Sequence, residues 1–298
     1  MDSDIGISAG SYLKNTRTDK YGNIIKRFCG MLARYALILF IISISLYPFF
    51  WLLMSSLKTH FEIYNSGLAL PRHPSFDAYI YAIQSAPIFK YYFNSIIVSF
   101  SSTCINLFAV GMASYVVARF DFKLKKYIVI CFAATLFLPG IALNYPVFKL
   151  IQMLNLLDTK TGLVYVYTAF GLPITFFLLQ SYFLSVPREI DDAANIDGAG
   201  FLRTFIQIMI PMVKPGISSA AILQFMGVWN EFFFAMLLTT TEKSRTIPLS
   251  LSYFVGRFHT DLAALFAAMI ILILPTIIVF IALKDQVVNS LTAGAVKE

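Results

Sequence analysis

PREIDDAANIDGAGFLRTFIQIMIPMVKP, residues Pro187–Pro215, is a polar, glycine-interrupted, proline-bounded stretch set between two strongly apolar runs. Connections between helices are usually a few residues long, so a patterned connection of this length reads as a structured element. Ser185 is placed to cap a short helix whose first turn holds Pro187 and Glu189, as a helix N-terminus and its dipole prefer. Ile190, Ala193, Ala194 and Asp197 recur at three- and four-residue spacing and predict one shared, thin face. Gly198 permits a positive φ and a sharp turn. A second helix with Phe201, Phe205 and Ile208 on one side is expected to run until Pro211 and Pro215 stop it. The expectation is a helix, a turn and a second helix, all parallel to a membrane, and an ordinary amphipathic surface helix would share much of this pattern.

The rest of the chain identifies the solvent. Of 298 residues, 58% are hydrophobic and only 13% charged, with a mean hydropathy of +0.73. A water-soluble domain of this size does not have that composition, so the fold class is an all-α integral membrane protein. The 29 Phe and 16 Tyr suit lipid-facing surfaces and interfacial belts. The net charge of +7 fits basic loops facing an acidic membrane surface better than nucleic acid. Cys29, Cys104 and Cys131 have no metal-ligand or disulfide spacing and read as packing residues.

A helix needs about 20 mainly apolar residues to cross the hydrocarbon core. Six segments qualify, at about 31–57, 91–118, 126–148, 162–184, 215–239 and 262–283. Pro139 and Pro146 interrupt the third, which is expected to end early and continue as a re-entrant or interfacial piece. With both termini inside, most of the 23 lysines and arginines fall on the cytoplasmic side. They include Lys14, Arg17, Lys20, Lys26 and Arg27 of the leader, Arg119 to Lys126, and Arg188, Arg203 and Lys214. The predicted organisation is a partly disordered cytoplasmic tail (1–28), a six-span domain (29–284) with its long loop (187–215) in the cytoplasm, and a cytoplasmic tail (285–298). The 58–90 connection, with Pro71, Pro74 and Pro87, predicts an ordered cap or a short interfacial helix.

Polar groups inside spans are costly and call for a reason. Ala220, Gln224, Gly227, Glu231 and Ala235 form a small, polar stripe on the fifth span, suited to a pore wall or a close helix interface. Asn230 lies beside it. A second stripe, Ser95, Ser99, Ser102, Asn106 and Ala113 on the second span, suits tight helix packing. Candidate pathway residues are therefore Gln224, Gly227, Asn230 and Glu231, with Asn94, Ser99 and Asn106. Pro173 and Pro275, inside the fourth and sixth spans, allow bending. His60, His73 and His259 are dispersed, and neither a metal site nor a catalytic residue is expected.

Asp192-Ala193-Ala194, Asp197-Gly198-Ala199 and Ile208-Met209-Ile210-Pro211 together resemble the EAA loop of permease subunits in ABC importers, whose pattern runs Glu-Ala-Ala, a spaced Asp-Gly-Ala, then Ile-x-Leu-Pro. Asp192 stands where that family usually has Glu. Leu46-Tyr47-Pro48 through Ser56-Leu57-Lys58, Asn94-Ser95 with Ala118-Arg119-Phe120, and Trp229-Asn230-Glu231-Phe232 extend the resemblance over nearly the whole chain. So does the tail Leu291–Lys297, and the likeness is to the smaller permease of the maltose-type, carbohydrate-importing branch. The resemblance implies that Arg188, Glu189, Asp191, Asp192, Ala193, Ala194, Asp197 and Gly198 belong to a coupling element seated on an ATPase. It also implies a second permease, two ABC ATPases, an extracytoplasmic binding protein, a sugar or oligosaccharide cargo and a bacterial inner membrane.

The chain has no Gly-x-x-x-x-Gly-Lys-Ser/Thr loop, because Gly198 and Gly200 lack a following Lys-Ser or Lys-Thr. No cofactor is expected in this chain, and ATP and magnesium would belong to partner ATPases. A secondary transporter or channel would carry inverted repeats and paired intramembrane ions. A membrane-embedded enzyme would cluster His, Asp or Glu within the spans. Neither pattern is evident, and polyol, glycerophosphodiester-type or acidic-sugar cargo stays open.

Overall fold

A computed structural model describes the backbone of residues 6–256 and 260–295, and side chains for residue 28, 30–256 and 260–281. Among these residues the architecture is helical, and β pairing is limited to one isolated bridge, Val255 with Thr260. Four helices are long and apolar enough to cross a membrane, and up to six if each of two bent helix pairs counts as one.

The first helix, α1 (Gly6–Ser56), carries Pro48 within it and an apolar stretch at Gly30–Ser56. Helical backbone therefore extends through most of the leader, where a partly disordered tail was expected. Two short helices, α2 (His60–Asn65) and α3 (Asp77–Ser85), occupy the 58–90 connection as anticipated. Thr59 and Glu62 form a reciprocal capping box at the start of α2. Buried Lys58 anchors the loop by donating to the Ser66 and Gly67 carbonyls at 3.1 and 2.9 Å.

The centre is built from α4 (Ile88–Arg119) and α7 (Lys160–Ser185), which pack along their lengths. Asn94, Ser95, Val98, Ser99, Ser102, Asn106 and Val110 recur at helical spacing on the buried side of α4. Small side chains let two helices approach closely, and Ser102 and Ser114 satisfy their hydroxyls on carbonyls of their own helix. Between them, α5 (Lys125–Thr135) and α6 (Asn144–Met153), joined through a 3₁₀ turn at Gly140–Leu143, bend by 100°. That is the break expected of the third span, and it falls where Pro139 ends the helical run.

After α7 come α8 (Glu189–Ile196), α9 (Phe201–Arg203), a π-helical stretch (Thr204–Met209), α10 (Ile210–Met212) and α11 (Lys214–Trp229). The arm Phe201–Met212 meets α11 at 82°. Pro211 does not stop the arm as expected. The wider π turn just before it accommodates a residue that lacks an N–H, and the break comes at Val213. Pro215 then opens α11, where a missing N–H costs nothing. At 16 residues α11 is about 24 Å long. The run expected to continue to residue 239 instead breaks at Asn230–Phe232 before α12 (Phe233–Leu238).

A 3₁₀ segment at Ile247–Tyr253 leads to α13 (Leu262–Ala295), which contains Pro275 and takes helical backbone through most of the expected C-terminal tail. Ala264, Ala267 and Ala268 of α13 pack with Tyr91 and Trp229 in one core cluster. Cys104 and Cys131 are free and exposed on the chain surface, not packed inside as expected. His259 and the side chains of Cys29 and the 282–298 tail lie outside the described residues.

Candidate functional site

The 187–213 segment folds as a short helix, a glycine turn and an arm. Gly198 has φ +72°, the left-handed conformation that a residue without Cβ adopts at no steric cost. Its N–H bonds Asn195 O at 3.1 Å, and Ala199 N bonds Ala194 O at 2.9 Å, closing the end of α8. Glu189, Asp191 and Asp192 occupy the first turn of α8 and complement its dipole. Ser185 does not cap this helix. It is the last residue of α7 and gives its hydroxyl to Tyr182 O, because the α7 run outlasts the apolar span by a residue. Arg188 holds the cap position without a side-chain bond.

The buried face of α8 is also rotated from the expected one. Ile190 and Ala194 point inward, and Asp191 joins them half-buried, whereas Ala193 and Asp197 are exposed. The rotation has a visible cause. Asp191 Oδ2 lies 3.1 Å from Arg119 Nε, and its Oδ1 accepts the Tyr115 hydroxyl at 3.2 Å. Arg119 Nη2 also reaches Pro187 O at 3.5 Å. Rings of Phe120, Phe183, Phe201 and Phe205 surround Tyr115, with centroids 5.3–5.9 Å away. The outward face is left with Arg188, Glu189, Asp192, Ala193, Asn195, Asp197 and Ile196. Ile196 is 86% exposed, an isolated apolar tip on a polar helix.

A second region is a cleft of about 310 Å³ between α7 and α11. It gathers Gln224, Gly227 and Glu231 from the predicted stripe with Tyr167, Phe170 and Gly171 of α7. Gln224 Nε2 donates to Tyr167 O at 3.0 Å, and its amide rests against Gly171, where a Cβ would collide with it. Glu231 lies in the break after α11. Its carboxylate accepts the N–H groups of Phe234 and Ala235 at 2.8 and 3.1 Å, capping α12, and the Tyr167 hydroxyl at 2.5 Å. Three donors thus account for the charge that the sequence left unexplained.

The other pathway candidates lie elsewhere. Asn230 is exposed and bonds its own helix at Met226 O. Ser99 and Asn106 are buried where α4 meets α7, with Asn106 Nδ2 donating to Thr168 O at 3.0 Å. Asn94 donates to the Lys243 and Arg245 carbonyls at 3.0 and 2.9 Å. Asn94, Ser99 and Asn106 serve close helix and loop packing, and neither they nor Asn230 line the cleft.

At the start of α7 a third cluster centres on Asp158, which sequence reasoning passed over. Its carboxylate Oδ1 accepts Thr240 N and Thr241 N at 2.9 and 3.0 Å. Its N–H donates to Leu238 O, and its carbonyl accepts the Ser244 hydroxyl. Burial by itself raises the carboxyl's pKa, but the amides and hydroxyls of Thr241 and Thr240 outweigh it and hold it below the usual range. The missed residues Arg119, Tyr115, Tyr167 and Asp158 share one trait: each acts on a partner 60 or more residues away in sequence. Arg119 was visible only as a topology charge and as part of a motif.

The family model described as "Binding-protein-dependent transport system inner membrane component" matches residues 105–292. The diacetylchitobiose uptake system permease protein of Streptomyces coelicolor is 36% identical over 262 residues, covering 87% of each chain. The trehalose/maltose transport system permease protein of Thermococcus litoralis is 32% identical over 258 residues, 85% of this chain and 92% of that protein. Among solved structures, a bacterial ABC transporter involved in the import of the acidic polysaccharide alginate superposes with a TM-score of 0.74 at 20% identity. The superposition covers 90% of this chain and 97% of that one, a likeness of fold.

Proposed function

Because the chain belongs to the family of binding-protein-dependent transport system inner membrane components, we propose that it is one permease half of an ATP-driven importer of a sugar or oligosaccharide. The cargo reading rests on its relatives, named for diacetylchitobiose and for trehalose and maltose, each matched over most of its length. In this reading the four long helices and the two bent pairs make six spans, with both termini and the 187–213 segment in the cytoplasm. The basic residues flanking the spans support that orientation.

The observation that carries the coupling role is α8 itself. It is a short helix on a positive-φ glycine turn, seated inward by Ile190, Asp191 and Ala194 and presenting Ile196 and exposed acids outward. A mixed apolar and charged tip of this kind suits a cleft on a separate ATPase. ATP, magnesium and hydrolysis belong to that partner, and this chain supplies motion. A second permease is supported by α1, whose side chains from Met31 to Phe50 are exposed on the isolated chain, while Trp51 meets Phe266 of α13. Those two permeases would enclose the pathway, with the α7–α11 cleft as this chain's contribution to its wall. An extracytoplasmic binding protein would deliver cargo from the opposite face.

The test is reconstitution with the proteins encoded beside it. Vesicles containing the assembly should take up radiolabelled maltose or diacetylchitobiose, or another oligosaccharide from a panel, only with ATP inside and binding protein outside. An Ile196→Asp chain should insert but fail to retain the ATPase on co-purification. Retention of a fully active ATPase by that variant would refute the docking role of α8.

A further inference from the structure

We infer that Arg119 is a positioning residue that clamps α8 to the end of α4, so that contact helix and span end move as one body. This rests on the reading of α8 as the ATPase-contact helix.

The first turn of α8 carries three acids, any of which satisfies the dipole, and two of them, Glu189 and Asp192, are exposed. Only Asp191 turns inward, so helix stability does not explain its orientation. What it meets is a cation from the last turn of α4, with side-chain exposure of 4% for Arg119 and 21% for Asp191. The two ends match electrostatically. An arginine suits the C-terminal end of α4 and an aspartate suits the N-terminal end of α8, so the pair joins the two helix dipoles in their favourable sense.

Tyr115, one turn earlier on α4, adds a hydrogen bond to the other carboxylate oxygen, and its ring fixes the seat among the phenylalanines. Arg119 further reaches the Pro187 carbonyl just before α8. Two points of attachment, before the helix and in its first turn, restrain rotation as well as separation. Both polar contacts from α4 to α8, from Tyr115 and from Arg119, converge on Asp191. The pair is also asymmetric in its failure, since removing the buried arginine leaves Asp191, half-buried beside the aromatic rings, without its cation. Asp191 is thus an inward anchor, and the ATPase-facing acids are Glu189, Asp192 and Asp197.

The test is made on the full assembly in nanodiscs, in a background lacking Cys29, Cys104 and Cys131, with spin labels at Lys123→Cys and Asn195→Cys, an exposed α8 position outside those acids. Pulsed electron paramagnetic resonance should give one narrow distance distribution, unchanged between the nucleotide-free state and ATP with vanadate. Arg119→Ala should broaden it about twofold or more, since one half of a buried pair is removed. The exchange Arg119→Asp with Asp191→Arg should narrow it in part, because it restores the charge pair but opposes both helix dipoles and loses the Tyr115 bond. Tyr115→Phe, which keeps the ring packing, should broaden it less and serves if the arginine variant does not assemble.

A distance that shifts with nucleotide in the unaltered chain, or a width unmoved by Arg119→Ala or by Tyr115→Phe, would overturn the clamp. A merely structural arginine would change yield without being rescued by the exchange. Failure of the ATPase to co-purify with the unaltered chain would instead overturn the docking reading.

Discussion

The two ends of α7 are held by opposite kinds of chemistry. At its start, Asp158 and Asn94 grip neighbouring loops through directional bonds to backbone N–H and C=O groups at residues 238–245. At its end, about 39 Å away, α8 is held by one buried ion pair, one tyrosine hydroxyl and a bed of aromatic rings, around a glycine with positive φ. Backbone hydrogen bonds fix distance and angle together and define one arrangement. Ring packing is less directional, and the ion pair with its tyrosine partner ties α8 to the end of α4, so the second arrangement can move as a unit without dissolving. The difference teaches where the molecule is stiff and where a load can be applied.

The largest effect that would break this contrast is expected at the hinge. Gly198→Val forces a β-branched residue to φ +72°, a strained conformation. Uptake in reconstituted vesicles should fall by roughly 100-fold or more while the chain still inserts, since α8, the proposed contact helix, is misaligned at its turn. Normal uptake by this variant would mean that the turn carries no load. Asp158→Ala should act on stability instead. Losing two accepted amide bonds should cost about 2 kcal/mol and lower the melting temperature in detergent by roughly 5 °C, with the ATP hydrolysed per cargo molecule unchanged. A large change in that ratio would show that the stiff end also transmits motion.

Glu231→Gln sharpens the comparison from the middle. The amide still accepts from the α12 N-terminus but loses charge, so a loss of about 1 kcal/mol of stability is expected, with a modest fall in uptake. Unchanged uptake and cargo preference would remove Glu231 from the pathway and leave it as a cap.

The smallest effect is pH dependence at Asp158. Its folded pKa is depressed, so the stabilisation is present above the unfolded carboxylate value of about 4 and is lost as pH falls through the folded value. Below about pH 4 the unaltered chain should lose melting temperature faster than Asp158→Asn, as a parallel titration of both would read.

Legibility in the sequence followed distance along the chain. The apolar stretches, the break at Pro139, the ordered 58–90 connection and the turn at Gly198 were all readable, because each depends on residues within a few positions of one another. The Ser185 cap, the stop at Pro211 and the uninterrupted fifth span were local readings that the neighbours overrode. Ser185 was absorbed by α7, Pro211 by a π turn, and the fifth span broke where Glu231 caps a new helix. The polar stripe of the fifth span was legible, but its division was not. Gln224, Gly227 and Glu231 face a cleft, while Asn230 bonds its own helix.

Composition and periodicity by themselves determined that this is a helical membrane chain with a structured, glycine-hinged loop, since burying apolar surface and admitting a positive φ are properties of residue types. Only the tertiary structure decided which face of α8 turns inward and what Glu231's charge is for. Arg119 meets Asp191 across 72 positions and Tyr167 meets Glu231 across 64. No local pattern encodes such pairs, because they exist only once helices that are distant in sequence have packed side by side.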